Sequence, residues 1–442
     1  MRGSGLLSNS TRAQPLKHRY LAALCLMGQL ALGQTAIQHI VIIMQENRTT
    51  DNLFHDPVLI QRGADIASGG YNSKGRFIKL MPVHLNNHYD LRHMHADFES
   101  EYDRGKMDGA DLISIDCKSL GHCPPNPQFK YVYGKDVAPY FQMAETYVFA
   151  DHMFHTNQGP SFSSHLFIIS GTSAPTETSN LFAAEVPIGG NGCAAQKRAS
   201  VYMINREGQE NFTMYPCFEH ETLPDELDAA GTSWRYYAFN RCSMWNAPNA
   251  IKHLRFGPDW KKNVILNPDQ IMVDVGQGQL AQVSWVTPDY PRSDHPGEND
   301  GTGPAWVASI VNTIGQSQYW NSTVIFITWD DWGGWYDHVA PKIYDSYEYG
   351  LRVPLLVISP YAKAGYISHV THDFGSILKF TEGVFGLPSL GFADSRADDL
   401  SDCFNFNQKP LVFRPIAAPH DASYFVRHPP RRSGNGILRD DD

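Results

Sequence analysis

Residues 37–44 read IQHIVIIM, and this stretch decides the fold. Ile40, Val41, Ile42, Ile43 and Met44 are consecutive and apolar, with no polar residue on alternate positions. A strand with one wet face would alternate, whereas a strand covered on both faces reads as a continuous β-branched run, as in parallel sheets. Working outward, similar runs recur at Val283 to Val286, Val324 to Thr328 and Val353 to Ile358. Between them the spacing predicts helices over Ala138 to Tyr147, Ser161 to Ile169, Gly303 to Ile314 and His372 to Phe385. Strands alternating with helices predict an α/β architecture around a largely parallel sheet.

Two long stretches break the alternation. Residues 56–135 are rich in Gly, Asn, Asp and His, and residues 175–260 mix Gly, Pro, aromatics and Cys. Both read as loop-rich insertions from a single domain, placed over the active site. The expected division is a signal peptide over 1–33, one catalytic domain over 34–426 and a flexible, charged tail over 427–442. The signal reading rests on Lys17, His18 and Arg19 before an apolar run from Leu21 to Leu32, with Ala31-Leu32-Gly33 as small cleavage residues. That run is short of the roughly 20 residues needed to span a bilayer; the alternative is a buried N-terminal helix. The expected location is therefore secreted or periplasmic.

Cysteine usage fits export. Cys25 lies in the signal, leaving Cys117, Cys123, Cys193, Cys217, Cys242 and Cys403, an even set with no zinc-type CxxC pair. Cys117 and Cys123 are close enough in sequence to form a local bridge. A net charge of −10 argues against nucleic acid as a partner, because affinity for its backbone comes from Lys and Arg. It leaves a phosphate-ester substrate open, since a bound cation can supply positive field locally. The 42% hydrophobic content is enough for a large core.

In open α/β sheets, ligands bind beyond the carboxyl ends of the strands. The first run ends in Gln45-Glu46-Asn47-Arg48, where Glu46 and Asn47 offer a carboxylate and an amide oxygen to a hard cation. A plain turn would also read this way. The Val324 run ends in WDDWGGWYDH, residues 329–338. Asp330 and Asp331 would repel each other without a cation or a shared proton, and the glycines allow close backbone approach. A solvated acidic turn is the alternative, though the aromatics around it fit that poorly. The third segment is Asn157-Gln158-Gly159-Pro160-Ser161, leading into an apolar helix. Ser161 stands where helix amides favour an anion and so could attack a phosphate ester; local reasoning alone favours N-capping. Ser163, Ser164 and Thr156 compete for the nucleophile role. His93, His295 and His338 complete the inventory as groups able to carry phosphate charge or protonate a leaving oxygen.

These segments, with Gly105-Lys106-Met107-Asp108-Gly109 and RVPLLVISP at 352–360 followed by His369 and Asp373, resemble the bacterial phosphoesterase family of phosphatidylcholine-type phospholipases C and acid phosphatases. The likeness runs from about Ile37 to Pro410. It implies an alkaline-phosphatase-like three-layer α/β sandwich. It also implies one divalent metal ion, Ca, Mg, Mn or Zn, held by Glu46, Asn47, Asp330, Asp331 and Ser161. Ser161 is the implied nucleophile, passing through a phosphoserine intermediate, with His93, His295 and His338 on the phosphate. Many members carry Asp-Glu where this chain has Asp330-Asp331, which shortens one ligand. The implied substrate is a phosphate monoester or a phospholipid, the latter with transient membrane-surface contact. A sulfatase would need a Cys-x-Pro-x-Arg-like context, which neither Cys123 nor Cys193 provides. An exported lipid- or carbohydrate-binding protein on the same fold is the remaining alternative.

Overall fold

The computed structural model describes residues 36–117 and 120–430. The expected signal peptide over 1–33 and residues 431–442 of the expected tail lie outside the described residues. The central sheet has eight strands, numbered here in chain order: β1 (His39–Gln45), β2 (Val148–Ala150), β3 (Trp234–Tyr237), β4 (Val264–Ile265), β5 (Val283–Val286), β6 (Thr323–Trp329), β7 (Leu355–Ile358) and β8 (Tyr366–Ser368). Their spatial order is β4-β3-β5-β1-β6-β7-β2-β8. Within this sheet β7 alone runs antiparallel to its neighbours; the other pairings are parallel.

The IQHIVIIM run lies in the middle. On β1, Ile40 sits between Val283 of β5 and Val324 of β6, and every residue from Ile40 to Gln45 is buried. That burial on both faces explains the absence of alternation. The main helices are α1 (Thr50–Leu53), α2 (His95–Tyr102), α3 (Ala138–Thr146), α4 (Ser161–Ser170), α5 (Gln270–Gly276), α6 (Gly303–Gly315), α7 (Phe374–Phe385), α8 (Ala393–Arg396) and α9 (Ala422–Arg427). Helices α3, α5, α6 and α9 pack together, and α4, α7 and α8 form a second group. Two helix layers with the sheet between them make the expected three-layer α/β sandwich. One apolar cluster runs from Ile37 to Phe425.

Several expected boundaries move by a residue or two. The predicted helix from His372 begins at Phe374, because Asp373 is its N-cap and accepts the Ser376 N–H at 3.2 Å. The strand predicted from Val353 pairs only from Leu355. A larger correction concerns residues 175–260, which are not wholly an insertion: Trp234–Tyr237 is a strand of the central sheet, paired with both β4 and β5. The first residues of the expected tail are packed as well, since Arg292 donates to the His428 carbonyl. Disulfides join Cys117 to Cys123, as expected, and Cys193 to Cys217; Cys242 and Cys403 carry free thiols.

Residues 56–135 do roof the carboxyl edge of the sheet, and the contact is aromatic. Phe98 meets Trp332 edge-on at 6.3 Å, Tyr89 lies 5.8 Å from Trp335 and Phe129 stacks on Tyr336 at 4.9 Å. The Arg48 guanidinium lies over Trp335 at 5.1 Å. The aromatics of WDDWGGWYDH therefore anchor the loop rather than line open solvent. No helix among the described residues is long and apolar enough to cross a membrane.

Candidate active site

The two central strands β1 and β6 end side by side, Gln45 opposite Trp329, so the residues that follow them leave the sheet together. Asp330 donates its N–H to the Gln45 carbonyl at 2.9 Å, which continues the ladder by one bond. Asn47 turns away in a left-handed conformation, φ +59°, which asparagine tolerates better than most residues. Its N–H and that of Asp331 both donate to Asp330 Oδ1, at 2.9 and 2.8 Å. The turn that frees these groups depends on Gly333. A Cβ there would lie 2.5 Å from the Asn47 carbonyl oxygen, and the residue has φ +60°.

Helix α4 delivers the serine. Its N-cap is Pro160, with no side-chain cap, and Ser161 is the first helical residue. Ser161 therefore does not cap the helix. Its hydroxyl instead donates to Asp331 Oδ2 at 3.3 Å. The first-turn N–H groups of a helix lack internal partners and carry partial positive charge. Ser161 Oγ thus lies at an anion-favouring end, against an acidic group.

Glu46, Asn47, Ser161, Asp330 and Asp331 are all fully buried. Burial raises the Asp330 carboxyl, but Glu46, His165, Ser161 and the Asn47 N–H outweigh it and hold the group below the ordinary carboxylate value. Burial and the neighbouring Asp330 push Asp331 well above that value, opposed by His93 and His295. Asn47 Oδ1 and Asp330 Oδ2 accept no hydrogen bond. Three buried carboxyl groups, Asp331 pushed toward its protonated form by Asp330, with buried acceptors left over, make a site whose full charge needs a further positive group. This donor set fits a divalent cation, with Glu46, Asn47, Asp330, Asp331 and the Ser161 hydroxyl supplying oxygens.

His93 and His295 are brought to this site. His93 Nε2 is 2.8 Å from Asn47 Nδ2, and the two imidazoles lie 6.1 Å apart. Each is oriented through Nδ1, by the Leu91 carbonyl at 2.7 Å and the Pro296 carbonyl at 2.8 Å. His338 is placed elsewhere. Its Nδ1 meets Asp51 at 2.7 Å and its Nε2 meets Asp65 at 3.0 Å, so both ring nitrogens are taken. Burial opposes charging this ring, yet Asp51 and Asp337 lift its pKa to about 9. Arg352, fully buried, donates to Asp337 at 2.8 Å and to Asp51 at 3.3 Å. His338 thus belongs to a network around Arg352.

Two buried histidines escaped the sequence reading. His165 Nε2 lies 3.2 Å from Glu46 Oε1 and 3.9 Å from Asp330 Oδ2, and one ligand-type atom from each of the three lies within 4.8 Å of the others. Burial lowers its pKa to about 4, so it is neutral and able to coordinate. Its signal was available: His165 is four residues from Ser161 and shares its helix face. His155 stacks on Trp332 at 5.5 Å, and neither ring nitrogen has a hydrogen-bond partner. Burial pushes its pKa to about 3.

Fold and site together define an α/β protein with a hydroxyl at a helix N-terminus, facing buried carboxylates at the carboxyl edge of a parallel sheet. The chain belongs to the Phosphoesterase family, whose model matches residues 37–388. It is 24% identical to a non-hemolytic phospholipase C of Pseudomonas aeruginosa, over 87% of this chain and 60% of that protein. It is 23% identical to phospholipase C B of Mycobacterium tuberculosis, over 86% of this chain and 80% of that one. The chain spans under two thirds of the length of the Pseudomonas relatives, 60% of one and 56% of the other. Among solved structures, an alkaline-phosphatase-superfamily protein from Vibrio parahaemolyticus aligns over 86% of this chain and 80% of its own, at 10% identity and TM-score 0.37.

Proposed function

We propose that the protein is an exported hydrolase of phosphate esters, using Ser161 as nucleophile beside a single divalent cation held by Glu46, Asn47, Asp330 and Asp331, with His165 as a further donor. The observation that carries this reading is the position of Ser161 Oγ, at the uncapped start of α4 and 3.3 Å from Asp331 Oδ2. Asp331 accepts the hydroxyl hydrogen bond and so aims the oxygen lone pairs away from itself, toward an incoming phosphorus. The α4 amides and the His93 and His295 rings face the charge that builds on the equatorial oxygens. One of these rings supplies the proton for the departing alcohol. When bound, the cation acts as a Lewis acid on the phosphoryl group and lowers the pKa of a hydroxyl beside it. Ser161 passes its proton to Asp331 as its oxygen bonds to phosphorus and the P–O bond to the alcohol breaks; the phosphoserine so formed is then hydrolysed by water, which releases phosphate and restores the hydroxyl. His338 has no part in this chemistry; its role is to hold Asp51 and Asp65.

The phospholipase C relatives favour a phosphodiester or phospholipid substrate, and a phosphatase is the competing specificity. Export is supported by two disulfides, which persist in oxidising compartments. The test is a substrate panel of p-nitrophenyl phosphate, p-nitrophenyl phosphorylcholine and phosphatidylcholine vesicles, with Ser161→Ala alongside. Ser161→Ala should lose about 10⁴-fold or more in turnover on every substrate cleaved. A variant that still hydrolyses at the parent rate sinks the assignment.

A further inference from the structure

The carboxyl edge of the sheet carries a second group of ligand-type side chains, away from Ser161. Strands β2 and β8 pair in parallel with Ala150 opposite Ser368. The next residue of each, Asp151 and His369, therefore leaves the sheet side by side. His369 Nδ1 lies 2.9 Å from Asp151 Oδ1. His152, the residue after Asp151, places its Nε2 2.9 Å from Asp65 Oδ2, and the Asp65 N–H donates to Asp151 Oδ2 at 2.7 Å. Buried Arg352 donates to the main-chain carbonyls of Asp65 and Asp151, both at 2.9 Å, so the frame beneath the cluster is fixed. Asp151 is fully buried, while the His369 side chain is 53% exposed, so the cluster opens to solvent.

Donor atoms in a tetrahedral zinc site with bonds of about 2.0–2.2 Å stand roughly 3.3 Å apart. One donor atom each from Asp151, His152 and His369 already lies within 4.8 Å of the others. Metal binding would draw them from within 4.8 Å to about that spacing. Two imidazoles and a carboxylate suit zinc and its neighbours rather than calcium or magnesium, which prefer oxygen throughout.

We infer that Asp151, His152 and His369 form a binding site for a zinc-type divalent cation, with Asp65 as an adjoining carboxylate and solvent on the open side. The ion links the edge strand β8 to β2 and to the loop around Asp65. The site does not depend on the Ser161 chemistry, and the two can fail separately.

The competing account is that these distances are imidazole–carboxylate hydrogen bonds and nothing more. The test is zinc stoichiometry on the full chain, stripped with chelator, reloaded, desalted and measured by atomic emission. Two equivalents are expected for the parent, and one for His369→Ala, whose exposed position leaves the fold intact; metal-free melting of that variant checks this. His152→Asn should likewise bind one. The double variant Glu46→Gln with Asp330→Asn should also bind one, now at the surface. A parent that binds one equivalent, with none in the double variant, overturns the inference and leaves the catalytic site standing. Two equivalents persisting in His369→Ala overturn it as well.

Discussion

At the scale of single residues, the site rests on a few positions whose chemistry cannot be exchanged. Gly333 is one. An alanine there would set its Cβ 2.6 Å from the Asn47 Cβ as well as against that residue's carbonyl, in a left-handed conformation. The neighbours are backbone and cannot rotate away, so Asn47 must shift. A displacement of about 1 Å at a reacting centre costs on the order of 100-fold in rate, and the strained φ adds about 1–2 kcal/mol of instability. Gly333→Ala should therefore lose roughly two orders of magnitude in kcat while remaining folded by circular dichroism; near-parent turnover would show that Asn47 is not held by this contact. Residue identity also set what could be read from sequence. Asp330-Asp331 was legible because adjacent acids among aromatics need an explanation. His165 carried only a weak signal, its place one turn from Ser161, because a lone His on an apolar helix usually satisfies a hydrogen bond in the core; the Glu46 carboxylate 3.2 Å away, just past the end of β1, is what gives it weight. His338 read as catalytic because it lies in the same motif, but the chain beyond Gly334 carries it to Asp51.

At the scale of elements, length and burial decided legibility. The strands β1, β6 and β7 were readable as apolar runs, and β5 despite Ser284. The strands β2 and β8 have three residues each and β4 two, too few for a pattern, and Arg235 interrupts β3. What stabilises such short elements is their flanks. The segment Lys252–Phe256 is tied to the helix Leu223–Ala229 by His253, whose ring meets Glu219 at 2.6 Å and Asp225 at 3.0 Å. Asp225 also closes the capping box of that helix with Thr222. The hydrogen bond that His253 donates to Asp225 leads in raising its pKa to about 9, against an ordinary 6.5. A raised folded-state pKa stabilises fully below the unfolded value and is lost as pH climbs through the folded one. His253→Gln should thus cost about 1 kcal/mol at pH 6, a figure discounted because the ring is one-third exposed. By about pH 9.5 the variant and the parent should melt together. A gap that stays constant across that range would assign the loss to packing instead of charge.

For the whole molecule, the sheet and its active site make opposing demands. The layers bury every strand of the core, and the same burial encloses Glu46, Asp330 and Asp331 in a chain that already carries a net charge of −10. Desolvated like charges destabilise the compact state unless something compensates them. A cation that binds only the folded form stabilises it by about 2.7 kcal/mol at a hundredfold excess over its dissociation constant, worth about 3 degrees of melting temperature in a chain of this length. Removing one carboxylate charge should act in opposite directions in the two states. In chelator, Asp331→Asn relieves repulsion with Asp330 and should melt at or above the parent; with metal restored it loses a ligand and should melt below. Parent and variant melting curves, each with and without chelator, therefore cross if the acidic cluster is built around a cation. Should Asp331→Asn melt below the parent by the same amount in both conditions, the carboxylate acts through the hydrogen bonds it accepts from the Ser161 hydroxyl and the Gly333 amide. Any shift that chelator still causes in Asp331→Asn then reports a cation bound somewhere else on the molecule. The Asp151, His152 and His369 cluster at the β2–β8 edge is the candidate, and His369→Ala should abolish that remaining shift.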